Sequence, residues 1–133
     1  MTVLTLTLSI SAYTPGANAI SGGRVMANGH APHWGAFACP HWVAFGSEVE
    51  LIGAVRERAE RMGMPVRGVC VDRFAKKYSD GFLDICIPQR HLGMTNGERL
   101  RMAMTWGRAS GQVVIRTPAK RTQKSWKESE EKP

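Results

Sequence analysis

Alternating apolar and polar residues predict several β-strands in this chain. Residues 1–10 alternate with a period of two, as a strand with one buried face does. Apolar residues also alternate around Asp72 and around Asp84, so each carboxylate is expected on a half-buried strand. Asp80 and Gly81, which lie between them, suit a tight reversal. We therefore expect these two strands to pair with each other.

A helical period replaces the alternation in residues 53–63. Val55, Ala59 and Met62 follow one another at spacings of four and three residues, which places them on one face of a helix. The glycine that ends the segment and Pro65 beyond it are typical stop signals. We interpret the charged residues of the other faces as a solvated surface.

A second helix is predicted from residue 95 onward. Thr95 and Glu98 have the spacing of a capping box, in which each side chain accepts a hydrogen bond from the backbone N–H of the other residue. Leu100, Met104 and Ala103 are expected to form the buried stripe of this helix.

Composition agrees with one domain that occupies residues 1–116. A chain of 133 residues, 43% of them hydrophobic, is long enough for one core and too short for two. No apolar run approaches the roughly 18 residues that a transmembrane helix needs, so we expect no membrane span. Residues 117–133 have almost no apolar side chains and are expected to form a disordered basic tail.

All three aspartates of the chain lie between residues 72 and 84. Two carboxylates held against an apolar surface can have pKa values that are pushed apart, as acid/base catalysis requires. Asp72 and Asp84 are therefore candidate catalytic residues. The alternative is structural, since either aspartate could cap a turn or form an ion pair with Arg73 or Lys77.

The three cysteines do not constitute a disulfide framework, because their number is odd. Cys70 and Cys86 each lie two residues from an aspartate and share its strand face, so a bond between them is one alternative. We favour the other, that both are small buried residues of a reduced protein. Cys39 is a less favoured candidate nucleophile with His41 as its base, because no third, orienting group is evident.

A segment rich in histidine raises the question of a metal site. Imidazole and thiolate are good zinc ligands, and four such side chains fall within twelve residues: His30, His33, Cys39 and His41. Their spacing matches no standard zinc motif, so we expect neither a metal nor a cofactor. Trp34 and Trp42 in the same segment are candidates for stacking on a sugar ring, with burial in the core as the alternative.

Four segments carry a family resemblance: residues 10–16, 38–51, 71–85 and 106–115. In this order they resemble successive segments of the 3D domain, a family named for three aspartates and found in MltA-type murein transglycosylases and in stand-alone cell-wall proteins. The similarity covers residues 9–116. Asp84, in its apolar frame, matches the position of the family's catalytic acid. The chain departs from the pattern where it has Cys39 in place of the first aspartate, and Arg73 and Phe74 in place of a glycine pair.

The fold that this resemblance implies is mainly β. It is a six-stranded double-psi β-barrel with crossing loops, to which two short helices and the disordered basic tail are added. The helix at residues 53–63 stands where a hairpin is expected in the family, so we interpret it as an insertion.

The activity that the resemblance implies is that of a lytic transglycosylase, which cleaves the β-1,4 bond between N-acetylmuramic acid and N-acetylglucosamine without water. One carboxylic acid protonates the glycosidic oxygen and then takes the proton of the sugar's 6-hydroxyl. We assign this role to Asp84, with Asp72 orienting it and biasing its charge. The aromatic side chains expected to contact the glycan are Trp34, Trp42, Tyr13 and Tyr78.

The net charge of +7 favours anionic partners. Residues 116–133 contain six basic and three acidic side chains, so residues 1–115 carry the remaining +4. Phosphate-bearing wall polymers, the carboxylates of peptidoglycan stem peptides and nucleic acid all fit a positive surface. Solubility alone is an alternative reason for the charge.

Two other functions fit the same residues. The first is a non-catalytic glycan-binding or virion structural module, in which the aromatic contacts matter and the aspartates do not. The second is a small basic phage protein that binds nucleic acid or a host protein. An oligomer could complete a groove that is open in one copy. Residues 1–10 show no basic leader, so we expect a cytoplasmic or virion-associated protein that acts at the cell wall, with a bacteriophage as a fitting source.

Overall fold

A computed structural model describes residues 1–14, 33–73, 80–88 and 93–118 of the chain. These residues form six strands and two helices: β1 Thr2–Tyr13, β2 Ala36–Cys39, β3 Glu48–Ile52, α1 Gly53–Met62, β4 Arg67–Arg73, β5 Phe82–Cys86, α2 Asn96–Trp106 and β6 Ala109–Thr117. The tail expected at residues 117–133 lies outside this part of the chain, except for its first two residues.

The six strands close into a barrel in the order β1-β5-β2-β4-β3-β6. β1 with β5 and β2 with β4 are parallel pairs, and the other four pairs are antiparallel. Exchanging β1 with β4, β2 with β5 and β3 with β6 leaves every pair and its direction unchanged. The barrel thus consists of two interlocked halves, β1–β3 and β4–β6, with the same pattern of strand pairing. The expected mainly β, six-stranded barrel with two helices is confirmed.

β4 and β5, the strands that carry Asp72 and Asp84, do not pair with each other. β2 lies between them and pairs with both. The expectation of a hairpin was therefore wrong, because alternation predicts that a strand exists and not which strand lies beside it. The residues between the two strands, 74–79, lie outside the described part of the chain.

The inside of the barrel is filled by apolar side chains that alternate along each strand. Ile10 of β1, Phe37 of β2 and Leu83 of β5 are fully buried there. Gly68 of β4 is required opposite them, because a Cβ atom at this position would lie 2.4 Å from the Phe37 ring and 2.0 Å from a backbone oxygen. The chemistry of the domain is consequently confined to its outer surface.

Helix α1 lies where its period predicts and packs on β6. Val55 and Ala59 are buried, and Met62 packs against the same core. The helix ends at Gly63, whose backbone has a left-handed φ of 70° and closes the last turn. Its contact with β6 is close, since a Cβ atom on Gly111 would lie 2.5 Å from the Cβ of Val55.

Helix α2 begins with the expected capping box. Thr95 Oγ1 accepts from the Glu98 amide at 3.1 Å, and Glu98 Oε1 accepts from the Thr95 amide at 3.0 Å. Among the described residues, neither this helix nor α1 is long and apolar enough to cross a membrane.

The predicted buried stripe of α2 is wrong for two of its three residues. Leu100 and Met104 are 37% and 79% exposed, whereas Arg99 and Trp106 are fully buried; Ala103 is half-buried. The Trp106 indole donates to the Ile10 carbonyl at 3.0 Å, and the Arg99 guanidinium donates to a carbonyl of the chain after β5. The side chains of Arg99 and Trp106 are larger than those of Leu100 and Met104, and they bury more area once their polar groups are hydrogen-bonded. The helix therefore buries the face that carries Arg99 and Trp106.

Replacement of Gly111 by alanine is expected to destabilise the domain by about 1–3 kcal/mol, since the new methyl group overlaps Val55 and forces α1 from the barrel. Urea unfolding measures the loss. The matched control is Gly97→Ala in α2, where the nearest atom to a new Cβ lies at 3.9 Å. This control is expected to be neutral or stabilising by up to ~1 kcal/mol. Equal unfolding midpoints for the two variants would contradict the close contact.

Candidate active site

Four residues on four neighbouring strands form one row across the outer surface of the barrel. Ser11 of β1 lies opposite Asp84 of β5, Asp84 lies opposite Ala38 of β2, and Ala38 lies opposite Asp72 of β4. Direct register partners point to the same face of a sheet, so both carboxylates stand on one side with the small Ala38 between them. The two aspartates are thus brought together, although their strands are not neighbours.

A β-bulge delivers Asp72 to this row. Phe37 pairs with Cys70, but the next residue, Ala38, pairs with Asp72 and not with Val71. Val71 is therefore the extra residue on β4, and regular pairing would have placed its apolar side chain next to Ala38. Bulges commonly redirect a side chain in this way beside functional sites.

A disulfide joins the two strands at the bulge. Cys39 of β2 and Cys70 of β4 are bonded, with their Cα atoms 5.7 Å apart, and both are buried in the main core. Cys39 is thus not a nucleophile, and the alternative of a bond between Cys70 and Cys86 is wrong, as is the favoured view of Cys70 as a free thiol. Cys70 points into the barrel, whereas Cys86 belongs to a separate outer cluster and is a free, buried thiol.

The sequence contained little signal for this pairing. Thirty-one residues separate the two cysteines, and only the neighbouring position of β2 and β4 makes the bond possible. The expectation that Cys86 is a small buried residue is confirmed.

Asp84 is a half-buried carboxyl group with an elevated pKa. Burial raises this pKa to about 6 and the charge of Asp72 adds to the rise, against the hydrogen bond from Ser11 and the charge of Arg108, which lower it. Ser11 Oγ donates to Oδ1 of Asp84. A carboxyl group of this kind carries a proton in a useful fraction of molecules near pH 6 and releases it readily.

Asp72 is oriented from β1. The Tyr13 hydroxyl donates to Oδ2 of Asp72 at 3.1 Å. Burial, followed by the charges of Cys86 and Asp72, raises the pKa of Tyr13 far above its usual value, so the phenol keeps its proton and remains a donor. Burial also raises the pKa of the Cys86 thiol to about 12, which leaves this sulfur unreactive. The structure therefore places Tyr13 as the partner of Asp72.

Three residues near Asp84 were missed in the sequence: Ser11, Phe82 and Arg108. Phe82 shares the outer face of β5 with Asp84, and the Arg108 guanidinium lies over the Phe82 ring, 5.2 Å from its centroid. Arg108 also lowers the pKa of Asp84, so its charge reaches the site. The alternation of Ser11 with Tyr13 could have indicated Ser11, whereas nothing in the sequence connects Arg108 with Asp84.

The other predicted contacts are spread more widely. Trp42 is 44% exposed, and its indole N–H donates to the Asp80 carbonyl at 3.3 Å. The side chain of Asp80 lies 3.2 Å from His41 Nδ1. Trp34 is half-buried against the main core, so Trp42 is the more open platform of the two. Tyr78 lies outside the described residues.

Metal binding finds no support in the described part of the chain. No group of three or more histidine, cysteine, aspartate or glutamate side chains is placed to hold an ion there. Cys39 is removed from the candidate ligand set by its disulfide, and His30 lies outside the described residues.

Comparison with known proteins adds no assignment. No protein-family model matches the sequence, and no characterised protein matches it significantly.

Replacement of Asp84 by asparagine is expected to alter the pH dependence of stability. The folded-state pKa of about 6 lies above the unfolded value, so the stability contributed by protonated Asp84 is fully present below about pH 4 and is lost as the pH rises through 6. Asparagine cannot ionise. The stability of Asp84→Asn relative to the wild type should therefore increase by roughly 1–2 kcal/mol between pH 4 and pH 8, after allowance for partial exposure.

Urea unfolding at pH 4, 6 and 8 measures this difference. Asp80→Asn is the control, because it makes the same change of charge at a side chain that is 84% exposed. A difference between wild type and Asp84→Asn that stays constant across this range would mean that Asp84 does not titrate near pH 6.

Reduction of the disulfide is expected to destabilise the protein by about 3–4 kcal/mol, the chain-entropy value for a loop of this length. The unfolding midpoint should fall in the presence of reductant. Cys86→Ala should keep this sensitivity, because Cys86 is free, whereas Cys39→Ala with Cys70→Ala should lose it. A Cys86→Ala variant whose unfolding midpoint no longer responds to reductant would show that Cys86 takes part in the disulfide.

Proposed function

We propose that this protein binds the glycan strands of peptidoglycan and cleaves the bond between N-acetylmuramic acid and N-acetylglucosamine as a lytic transglycosylase, with Asp84 as its acid and base. The observation that carries the proposal is a half-buried carboxyl group with a pKa of about 6 beside a second carboxylate. Perturbed pairs of this kind cluster at catalytic sites. The resemblance to the 3D domain supports the choice of substrate, and the closed six-stranded barrel is the fold that this resemblance implies.

The reaction needs one carboxyl group that acts twice. Protonated Asp84 gives its proton to the glycosidic oxygen, the bond between this oxygen and the muramic C1 breaks, and the departing sugar leaves with a new hydroxyl. The Asp84 carboxylate then takes the proton of the muramic 6-hydroxyl group, and the oxygen of this hydroxyl group bonds to C1. The products are a 1,6-anhydro sugar and the restored acid, so no water is consumed.

Neighbouring side chains adjust Asp84 for both steps. Ser11 donates to Oδ1, which leaves Oδ2 for the proton that is transferred. Asp72 makes ionisation of Asp84 less favourable and places a negative charge where positive charge develops on the sugar ring. Tyr13 holds Asp72 in this orientation. General acid/base catalysis accelerates a reaction roughly 10²–10⁴-fold. Electrostatic stabilisation of the transition state by Asp72 is expected to contribute much of the remaining acceleration.

The glycan itself is expected to contact the exposed aromatic side chains. The N–H edge of Trp42 is occupied by the Asp80 carbonyl, so its face is the part offered to the apolar side of a sugar ring. Asp80 lies in the turn that precedes β5, four residues before Asp84, so its contact with Trp42 links this aromatic side chain to the strand that carries the proposed acid.

Digestion of purified peptidoglycan, with products resolved by mass spectrometry, tests the proposal. Wild type should release anhydro-muropeptides at a rate that falls as the pH rises above about 6, because Asp84 must start protonated. Asp84→Asn should be at least 10²-fold slower, Asp72→Asn should be slowed with an altered pH profile, and Asp80→Asn should resemble the wild type.

Products with ordinary reducing ends, or an Asp84→Asn variant as active as wild type, would contradict the mechanism. The exposed Trp42 favours one other function, a non-catalytic glycan-binding module. Its signature would be no release of products, together with sedimentation alongside sacculi that is lost in Trp42→Ala and kept in Asp84→Asn.

A further inference from the structure

A second concave site lies on the outer surface of β3, β4 and β6. It is an open groove with a volume of about 220 Å³. Its lining residues come from these three strands: Glu48, Val49, Arg67, Gly68, Val69 and Arg116. The catalytic role proposed above makes no use of any of these side chains.

One carboxylate anchors the arginines of this groove. Glu50 Oε1 accepts from Arg116 at 2.9 Å, and Oε2 accepts from Arg56 at 3.0 Å and from Arg67 at 3.3 Å. The Glu50 side chain is only 12% exposed, whereas that of Arg67 is 71% exposed. Arg67 is therefore fixed at one N–H group and presents the rest of its guanidinium fork to the groove.

A second carboxylate of the groove is left unpaired. The Glu48 side chain is exposed and has neither a hydrogen bond nor an ion pair with any other described residue. Arg116 lies directly opposite it in the β3–β6 register, yet its guanidinium reaches to Glu50. Glu48 and Arg67 lie diagonally across the β3–β4 pair, roughly 7–8 Å apart and somewhat closer between their Cβ atoms.

The charges of the groove exclude a simple anion as its best ligand. Glu48 and Glu50 balance Arg67 and Arg116, and Arg56 is further compensated by Glu60 at 3.2 Å. A lone phosphate or carboxylate would gain little net attraction from such a balanced set. A ligand with one positive and one negative group matches both open side chains at once.

We propose that this groove binds a zwitterionic peptide group, with its ammonium at Glu48 and its carboxylate at Arg67. The ligand that we identify is the diamino acid of the peptidoglycan stem peptide. This identification rests on the proposed function. A guanidinium fork matches a carboxylate in planar geometry, and an exposed carboxylate accepts the N–H groups of an ammonium.

The position of the groove fits this ligand. Arg67 and Asp72 lie on the same strand, five residues apart; the bulge at Val71 takes up one of these residues, so the separation is about 13 Å along β4. The diamino acid is the third residue of the stem; three extended residues span about 10–11 Å, and the side chains of the diamino acid and of Arg67 cover the remainder. A stem peptide attached to the muramic acid held at the aspartates therefore has the length to place its charged groups in the groove.

Isothermal titration calorimetry tests the inference directly. The ligand is a purified stem tetrapeptide whose diamino acid has a free amine at the end of its side chain. Wild type should bind it, and acetylation of that amine or amidation of the adjacent carboxylate should weaken binding by about 5–10-fold. Glu48→Gln should weaken binding of the parent peptide by a similar factor and should not affect the acetylated peptide. Glu57→Gln, the same change of charge on an exposed face of α1, is the matched control.

Arg67→Gln should show the complementary pattern, with loss of affinity for the parent peptide and none for the amidated one. A thermal midpoint for this variant checks that the contacts of Glu50 remain. Equal affinity for parent and blocked peptides, an effect of Glu57→Gln equal to that of Glu48→Gln, or no binding by wild type at millimolar peptide would each overturn the inference.

The proposed cleavage is tested separately. Asp84→Asn should bind the peptide as wild type does, so loss of cleavage with retained binding supports both statements. If the wild type binds the peptide but releases no anhydro-muropeptides, the proposed cleavage is contradicted and the proposed peptide site in the groove is supported.

Discussion

The insertion of β2 between β4 and β5 is the constraint on which the site depends. This strand has only four residues, yet it pairs in parallel with β4 and antiparallel with β5, so it alone sets the separation and register of the two aspartates. The bulge at Val71 places Asp72 beside Ala38, and the disulfide between Cys39 and Cys70 ties the strands together under that bulge. A slip by one residue would turn every side chain of β2 to the opposite face. The disulfide opposes such a slip from inside the core.

The same arrangement explains the electrostatics of Asp84. A carboxyl group placed on a surface of small residues beside another carboxylate loses hydration and gains repulsion, and both effects raise its pKa. This is unfavourable for the folded state at neutral pH, because ionisation of Asp84 is easier in the unfolded chain. Destabilisation of this kind is often found at catalytic groups. Ser11 and Arg108 lower the pKa and keep Asp84 within the range where it can both give and take a proton.

Apolar packing inside the barrel leaves only the outer surface for binding. β4 carries two separate features on that surface, Asp72 near its end and Arg67 at its start. Val69 and Val71 lie between them and, with Tyr13, Ala36 and Cys86, form a small apolar cluster. The proposed ligand, a polymer with both sugars and charged peptides, would place one part at the groove while another part binds at the aspartates. The separation of the two features makes their roles independently measurable.

The local features of this fold could be read from the sequence, and the long-range ones could not. The capping box of Thr95 and Glu98, the helix over residues 53–63 and the strands around Asp72 and Asp84 were all predicted, because these signals depend on residues within a few positions of each other. The closed barrel was predicted only through the family resemblance. The neighbours of each strand, the bond between Cys39 and Cys70, the bulge at Val71 and the burial of Arg99 in place of Leu100 were decided only by the tertiary structure. Each of them depends on which distant segments meet when the barrel closes, and alternation along one strand is the same whichever strand lies beside it.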